Sequence, residues 1–148
     1  MIHHSLELNR TQVTRNRVAP LAPGAEFILE PPARRQIELV SLFIQLDTDA
    51  TAVNRTMVLE FGPAGQADLQ IISPVVQPLN TVYNYYFMPR YGPPNPALYF
   101  NTMIMPLPDS YPFSIGEQVR TNINNMQVGD QILIYTVRYR TWLAPVPV

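Results

Sequence analysis

Proline and glycine interrupt this chain so often that the stretches between them have room for little but short extended segments. The 148 residues include 16 prolines and 6 glycines. They gather in APLAPGA, EPPARR, FGPAGQ, SPVVQP, MPRYGPPNP and MPLPDSYP. Proline lacks an amide proton and fixes φ, so such clusters read as turns or loops. Between them lie runs rich in Val, Ile, Leu, Tyr, Phe and Thr, which suit a pleated surface. The expected strands are Glu26–Glu30, Gln36–Asp47, Thr56–Phe61, Asp68–Ser73, Asn80–Met88, Ala97–Met105, Gln118–Ile123 and Gln131–Leu143.

Period-two alternation is clearest in the last run, with Leu133, Tyr135, Val137, Tyr139 and Leu143 on one side and Arg138 and Arg140 on the other. In Gln36–Asp47, Val40, Leu42, Ile44 and Leu46 share a face while Leu39 and Phe43 are apolar on the other, as in a central strand covered on both sides. PPARRQIELVSLFIQL also fits a helix start, with proline in the first turn and Ile37, Val40 and Ile44 at helical spacing. Its recurring β-branched residues favour the strand. About eight strands with regular turn signals predict an all-β, single-domain β-sandwich or jelly roll. The sandwich is expected over residues 19–148. Residues 1–18, polar and proline-free, read as an extended N-terminal arm or a first edge strand.

The charged fraction of 14% is low for a soluble monomer and implies a surface that another protein covers. A net charge of −1 argues against nucleic acid or an anionic membrane as the main partner. No stretch approaches membrane-spanning length, and MIHHSLELNRTQ lacks the charged start and apolar run of a signal peptide, so a soluble protein is expected. Without cysteine there are no disulfides, thiolate metal sites or cysteine nucleophiles. All ten basic residues are arginine. Codon bias explains this, and so does arginine's suitability for partly buried interfaces.

The stretch LDTDATAVNRT, Leu46 to Thr56, raises the question of a metal loop. Asp47 and Asp49 match the first and third positions of a calcium loop, but Ala52 stands where glycine is needed and Val58 where the bidentate acid belongs. Asn54-Arg-Thr and Asn9-Arg-Thr match a glycosylation pattern with no secretory signal to give it meaning. The remaining reading is that Asp47 and Asp49 bond nearby amides and open a turn. His3 and His4, the two histidines, stand too near the start to be a positioned base. No nucleophile order, metal spacing or phosphate loop is present. Paired carboxylates for glycoside chemistry have no distinguishing context. No catalytic role, metal or cofactor is expected.

TVYNYYFMPRYGPPNPALYF, Thr81 to Phe100, is rich in aromatics beside Arg90. Tyr83, Tyr85 and Phe87 share one face and Tyr86 and Met88 the other; one face belongs in the core and part of the other against a neighbouring subunit. With the arm's Arg10, Arg15 and Arg17, the expected capsid or subunit contacts are Tyr83, Tyr85, Arg90 and Tyr91.

Two segments carry a family resemblance: EFILEPPARRQIELVSLFIQLDTDATAVNRTMVLEF and YPFSIGEQVRTNINNMQVGDQILIYTVRYRTWL. A strand ending in EPP, a TDATxxNR connection and a late NxQxGDQ turn before a long final strand resemble a group of small tailed-phage virion proteins. The resemblance spans Ala25 to Leu143, and its motifs are turn signatures rather than chemistry. It implies a β-sandwich component of the particle, of the capsid decoration (cement) type, on the outer capsid surface. Its partners would be the major capsid protein and other copies of itself, in a homotrimer. On that analogy Asp47, Asp49, Asn54 and Arg55, and later Asn125, Gln127, Gly129 and Asp130, fix two neighbouring connections. The aromatic middle of the chain lies outside the matching motifs. The alternatives are a tail or fibre-associated receptor- or carbohydrate-binding module and, more remotely, a carbohydrate-active enzyme.

Overall fold

The structure is a computed structural model that describes residues 11–17, 19–89 and 101–144. Among these are ten strands and no helix: β1 (Thr11–Arg17), β2 (Ile28–Leu29), β3 (Arg35–Asp47), β4 (Val58–Pro63), β5 (Leu69–Ile72), β6 (Val82–Pro89), β7 (Thr102–Leu107), β8 (Pro112–Phe113), β9 (Glu117–Thr121) and β10 (Gln131–Leu143). They form a larger sheet in the order β1-β10-β3-β6-β7, with β8 also on β3, and a smaller one in the order β2-β9-β4-β5. This is the all-β sandwich that alternation and punctuation imply. Early and late strands wrap around one another, β3 pairing with β10 in one sheet and β4 with β9 in the other. β6 and β7 run parallel, a departure from an all-antiparallel jelly roll.

The core lies between the sheets. From the larger come Ile37, Leu42, Ile44 and Leu46 of β3, Tyr85 and Phe87 of β6 and Val137 of β10; from the smaller come Leu29, Leu59, Phe61 and Val119. The run that also fitted a helix is β3, held on one side by β10 and on the other by β6 and β8, which makes it interior. Branched and aromatic side chains on both faces fill space that helical packing would leave crowded at χ1.

Strict alternation fails in two places. Ile132 opposes Leu46 and Ile134 opposes Gln45, leaving Leu133 as an extra residue; Arg138 opposes Ser41 and Tyr139 opposes Leu39, leaving Val40 extra. Each bulge inverts the phase of its strand. Leu39 therefore joins Leu42, Ile44 and Leu46 inside, at 7% exposure, and Val40 leaves that face. Leu133 is likewise out of phase with Tyr135, and Leu143, expected on the same side as Val137 and Tyr139, is 61% exposed.

Other boundaries shift for local reasons. The expected strand at Glu26–Glu30 shrinks to Ile28–Leu29 because Pro31 and Pro32 follow. β4 begins at Val58, preceded by isolated bridges from Arg55 to Gln77 and Thr56 to Asn124. β7 begins at Thr102 rather than Ala97, and residues 97–100 lie outside the described set. β8 was not expected from the sequence. The described part of the arm, Thr11–Arg17, is a strand paired antiparallel with β10 of the same chain. Of the two readings of the arm, the edge strand is the one seen there.

The bulge in β3 is testable. Leu39→Asp buries a charge with no partner and should leave the protein unfolded or insoluble. Val40→Asp should fold, with stability within about 1 kcal/mol of the parent. Greater damage from Val40→Asp than from Leu39→Asp in urea denaturation would mean that alternation runs through the strand unbroken.

Candidate functional site

The connection between β3 and β4 meets the turn between β9 and β10 at one end of the sandwich, and Arg55 lies at the junction with no solvent exposure. A buried guanidinium is tolerable only if its five N–H donors are all satisfied. Here they are. Nε donates to Asp130 Oδ2 at 2.9 Å, and Nη2 donates to Asp130 Oδ1 at 2.8 Å and to Asp49 Oδ1 at 2.6 Å. Nη1 donates to the carbonyls of Thr51 and Val53.

Asp130, equally buried, is saturated in turn. Besides the two-pronged contact with Arg55 it accepts the amides of Asp49 at 2.9 Å and Gln127 at 2.7 Å. Asp49 accepts the amide of Thr51, which with the Arg55 charge holds its carboxyl below the usual range. The hydrogen bond from Arg55 to Asp130, working against desolvation, holds the guanidinium pKa above its ordinary value. The positive charge between the two carboxylates is thus a side chain of the protein.

The other residues of the two turns have smaller parts. A Cβ on Gly129 would stand 2.5 Å from Asp49 Oδ2, so only glycine lets the second turn approach the first. Asn125 adopts φ 59°, a left-handed conformation that asparagine tolerates, and donates to the Asn54 carbonyl. Gln127 donates to the Asn125 carbonyl. Asn54 contributes its backbone and is exposed; Asp47 pairs through the ladder with Gln131 and Val82.

A third loop, Ser73 to Thr81, is bound to the same junction. Gln77 and Arg55 exchange backbone hydrogen bonds, and the Gln77 side chain donates to the carbonyls of Leu46 and Thr81 and accepts from the Tyr85 hydroxyl at 2.9 Å. Thr48 bonds Pro78 and Thr81 beside it. Nothing in SPVVQP singled out Gln77, because its role comes from where three chain segments cross.

The second polar cluster lies on the outer face of the smaller sheet and was also missed. Glu60 is 4% exposed, accepts from Gln70 and Asn122 at 2.8 Å each and from Arg120 Nε at 3.1 Å, and is ion-paired with Arg120 Nη2 at 3.0 Å. Burial pushes its carboxyl up, but these donors and the Arg120 charge outweigh it and leave the pKa low. Glu26, accepting from Thr121 and the Ile123 amide, is shifted the other way, burial dominating. Both line a cleft of about 510 Å³ with Ile28, Gln70, Arg120 and Asn122. Opposed carboxyl shifts suit acid–base pairs, but both glutamates are engaged in holding strands together.

Tyr83 and Tyr85, expected at an interface, are in the core at 8% and 0% exposure, because the even spacing that aligns them with Phe87 turns all three inward. Arg15 lies over the Tyr139 ring at 5.5 Å, and Arg17 bonds the carbonyls of Ala19 and Pro20. Arg10, Arg90 and Tyr91 lie outside the described residues. The outward partners of the aromatic strand are Tyr86 and Met88. Thr136, Phe43, Tyr86 and Ile104 stand in register across four strands, all half-buried, and the rings of Phe43 and Tyr86 are 4.6 Å apart.

No protein-family profile matches the chain, and no curated protein matches it. Among solved structures, a chain from turnip yellow mosaic virus is similar at a TM-score of 0.35 and 12% identity, over 94% of this chain and 82% of that one. A likeness of that strength says nothing about function.

Arg55→Lys keeps the charge but cannot serve five acceptors. It should cost about 1–3 kcal/mol, the range for leaving buried hydrogen-bonding groups unsatisfied, read by chemical denaturation. Glu60→Gln tests the smaller sheet. A depressed folded pKa stabilises above the unfolded value, near 4.5, and that stability is lost as pH falls through the folded pKa. The variant should lose about 1.5–3 kcal/mol at neutral pH, with the gap to the parent closing in acid. A constant gap across pH would mean the Glu60 charge is not what matters.

Proposed function

We propose that this chain is a structural protein of a phage particle, a decoration (cement) protein that binds the outer surface of the head as a homotrimer and meets the major capsid protein through the outer face of its larger sheet. The observation that carries this is the uncharged row Thr136, Phe43, Tyr86 and Ile104 with Met88 beside it, on the face turned away from the core. Aromatic and methionine side chains of this kind favour protein contacts, and the scarcity of charge lowers the cost of desolvating them. The resemblance of the two turn motifs to small tailed-phage virion proteins supports the same reading, and the residues of those motifs serve architecture.

The mechanism is mechanical. A rigid sandwich laid across a joint between coat subunits adds buried area that must be broken before the shell can open. Repetition over many equivalent joints, and three linked contacts per trimer, raise a modest affinity to a lasting one. Quantitative mass spectrometry of the particle should find copies in proportion to the coat protein. Tyr86→Glu should fold normally and fail to bind heads stripped of this protein. A few copies per particle would favour the tail or fibre module, and unchanged binding of Tyr86→Glu would remove the proposed face.

A further inference from the structure

β1 closes one side of the larger sheet, and among the described residues nothing pairs with its outer side. Six of its seven residues are exposed and the seventh, Val13, is partly so. With β10 on one side only, alternate residues of β1 turn N–H and C=O groups outward, the arrangement to which another strand can add.

The charges decide which strand fits. Arg15 and Arg17 are two residues apart, hence on one face, opposite Val137 and Tyr135 in the ladder with β10. Both are exposed, so the smaller sheet does not cover them. Neither guanidinium is loose: Arg15 rests over the Tyr139 ring, and Arg17 is held by the Ala19 and Pro20 carbonyls. On the opposite face stand Thr14 and Asn16, with Arg138 next to Thr14 on β10.

We infer that the free edge of β1 is a docking site for an extended acidic segment of another protein, one that adds as a strand and presents two carboxylates two residues apart to Arg15 and Arg17. Backbone bonding supplies the register, and the pinned guanidiniums select charge. A second copy of this edge would set arginines along a ladder of arginines, which is repulsive. The other described edge strands of the chain, IL of β2, LQII of β5, TMIMPL of β7 and PF of β8, carry no acid. The partner is therefore a different chain. This inference does not rest on the coat-binding face proposed above.

The test uses the full chain and an end-capped heptapeptide alternating valine and glutamate, with a lysine-for-glutamate peptide as control. Fluorescence anisotropy should show the acidic peptide binding, weakening with salt, and the lysine peptide not binding. Hydrogen exchange should slow at β1 amides when the acidic peptide is added. The double variant Arg15→Glu and Arg17→Glu should weaken binding about tenfold or more, as expected for two lost cross-strand pairs made repulsive, while the protein stays folded. If that variant is unstable, Arg15→Gln with Arg17→Gln gives the same comparison without repulsion. Equal binding of both peptides, binding without β1 protection, or binding of neither overturns the inference. The last result would leave the arginines as guards against edge-to-edge pairing.

Discussion

The structure is organised around one desolvated guanidinium. Removing an arginine from water is so costly that each of its donors must find a fixed acceptor. Arg55 finds them on an aspartate 75 residues away, on a second aspartate in its own loop, and on two local carbonyls. Because Asp130 also holds the amides of Asp49 and Gln127, neither loop can shift without leaving buried groups unpaired. The first pair of the β3–β10 ladder, Asp47 with Gln131, follows directly from this junction. Both bulges are counted from there, so the clamp fixes which side chains of the two longest strands enter the core. Gln77 and the Tyr85 hydroxyl carry the same constraint into β6.

The sequence disclosed what depends on nearby residues. Turn chemistry is local: glycine at 129, asparagine at 125 and aspartates flanking Thr48 announce connections whatever the rest of the chain does. Strand propensity and proline placement are local too, so the β-sandwich and the central position of β3 were legible. The pairing of Arg55 with Asp130 was not, because it depends on two turns meeting in space. Nor were the bulges, since one extra residue reverses alternation without changing composition. Glu60 reads in VLEF as a solvent-facing residue, and its strand places it so; burial comes from Gln70 and Arg120 on neighbouring strands and from Asn122 just past β9. Tyr83 and Tyr85 illustrate the opposite error, where aromatic content suggested a contact surface and a simple two-residue period put the rings inside.

The two outer faces differ in what they leave unsatisfied. On the smaller sheet, carboxylates, amides and a guanidinium bond one another around Glu60, so that face is chemically complete even though it is concave. On the larger sheet, the row through Phe43 and Tyr86 has few polar groups to bond and keeps hydrocarbon in water, a condition relieved only by contact. This contrast makes the larger sheet the proposed contact surface and gives the cleft a structural part. The arginine-bearing edge of β1 adds a directional element beside it, since a strand edge recognises backbone where a face recognises shape.

The position of β10 has a consequence for how the molecule comes into being. The last strand of the described chain lies between the first and the third, and thirteen residues of β3 have no partner on that side until residues 131–143 have been made. While the chain is emerging from the ribosome, β3 presents an unpaired edge with apolar side chains on both faces, and Arg55 waits for its aspartate. Closure of such distant contacts is slow and leaves hydrophobic strand exposed meanwhile. The prolines that crowd the connections restrict what those waiting strands can do. A chain punctuated in this way has fewer wrong partners within reach before its final strand arrives.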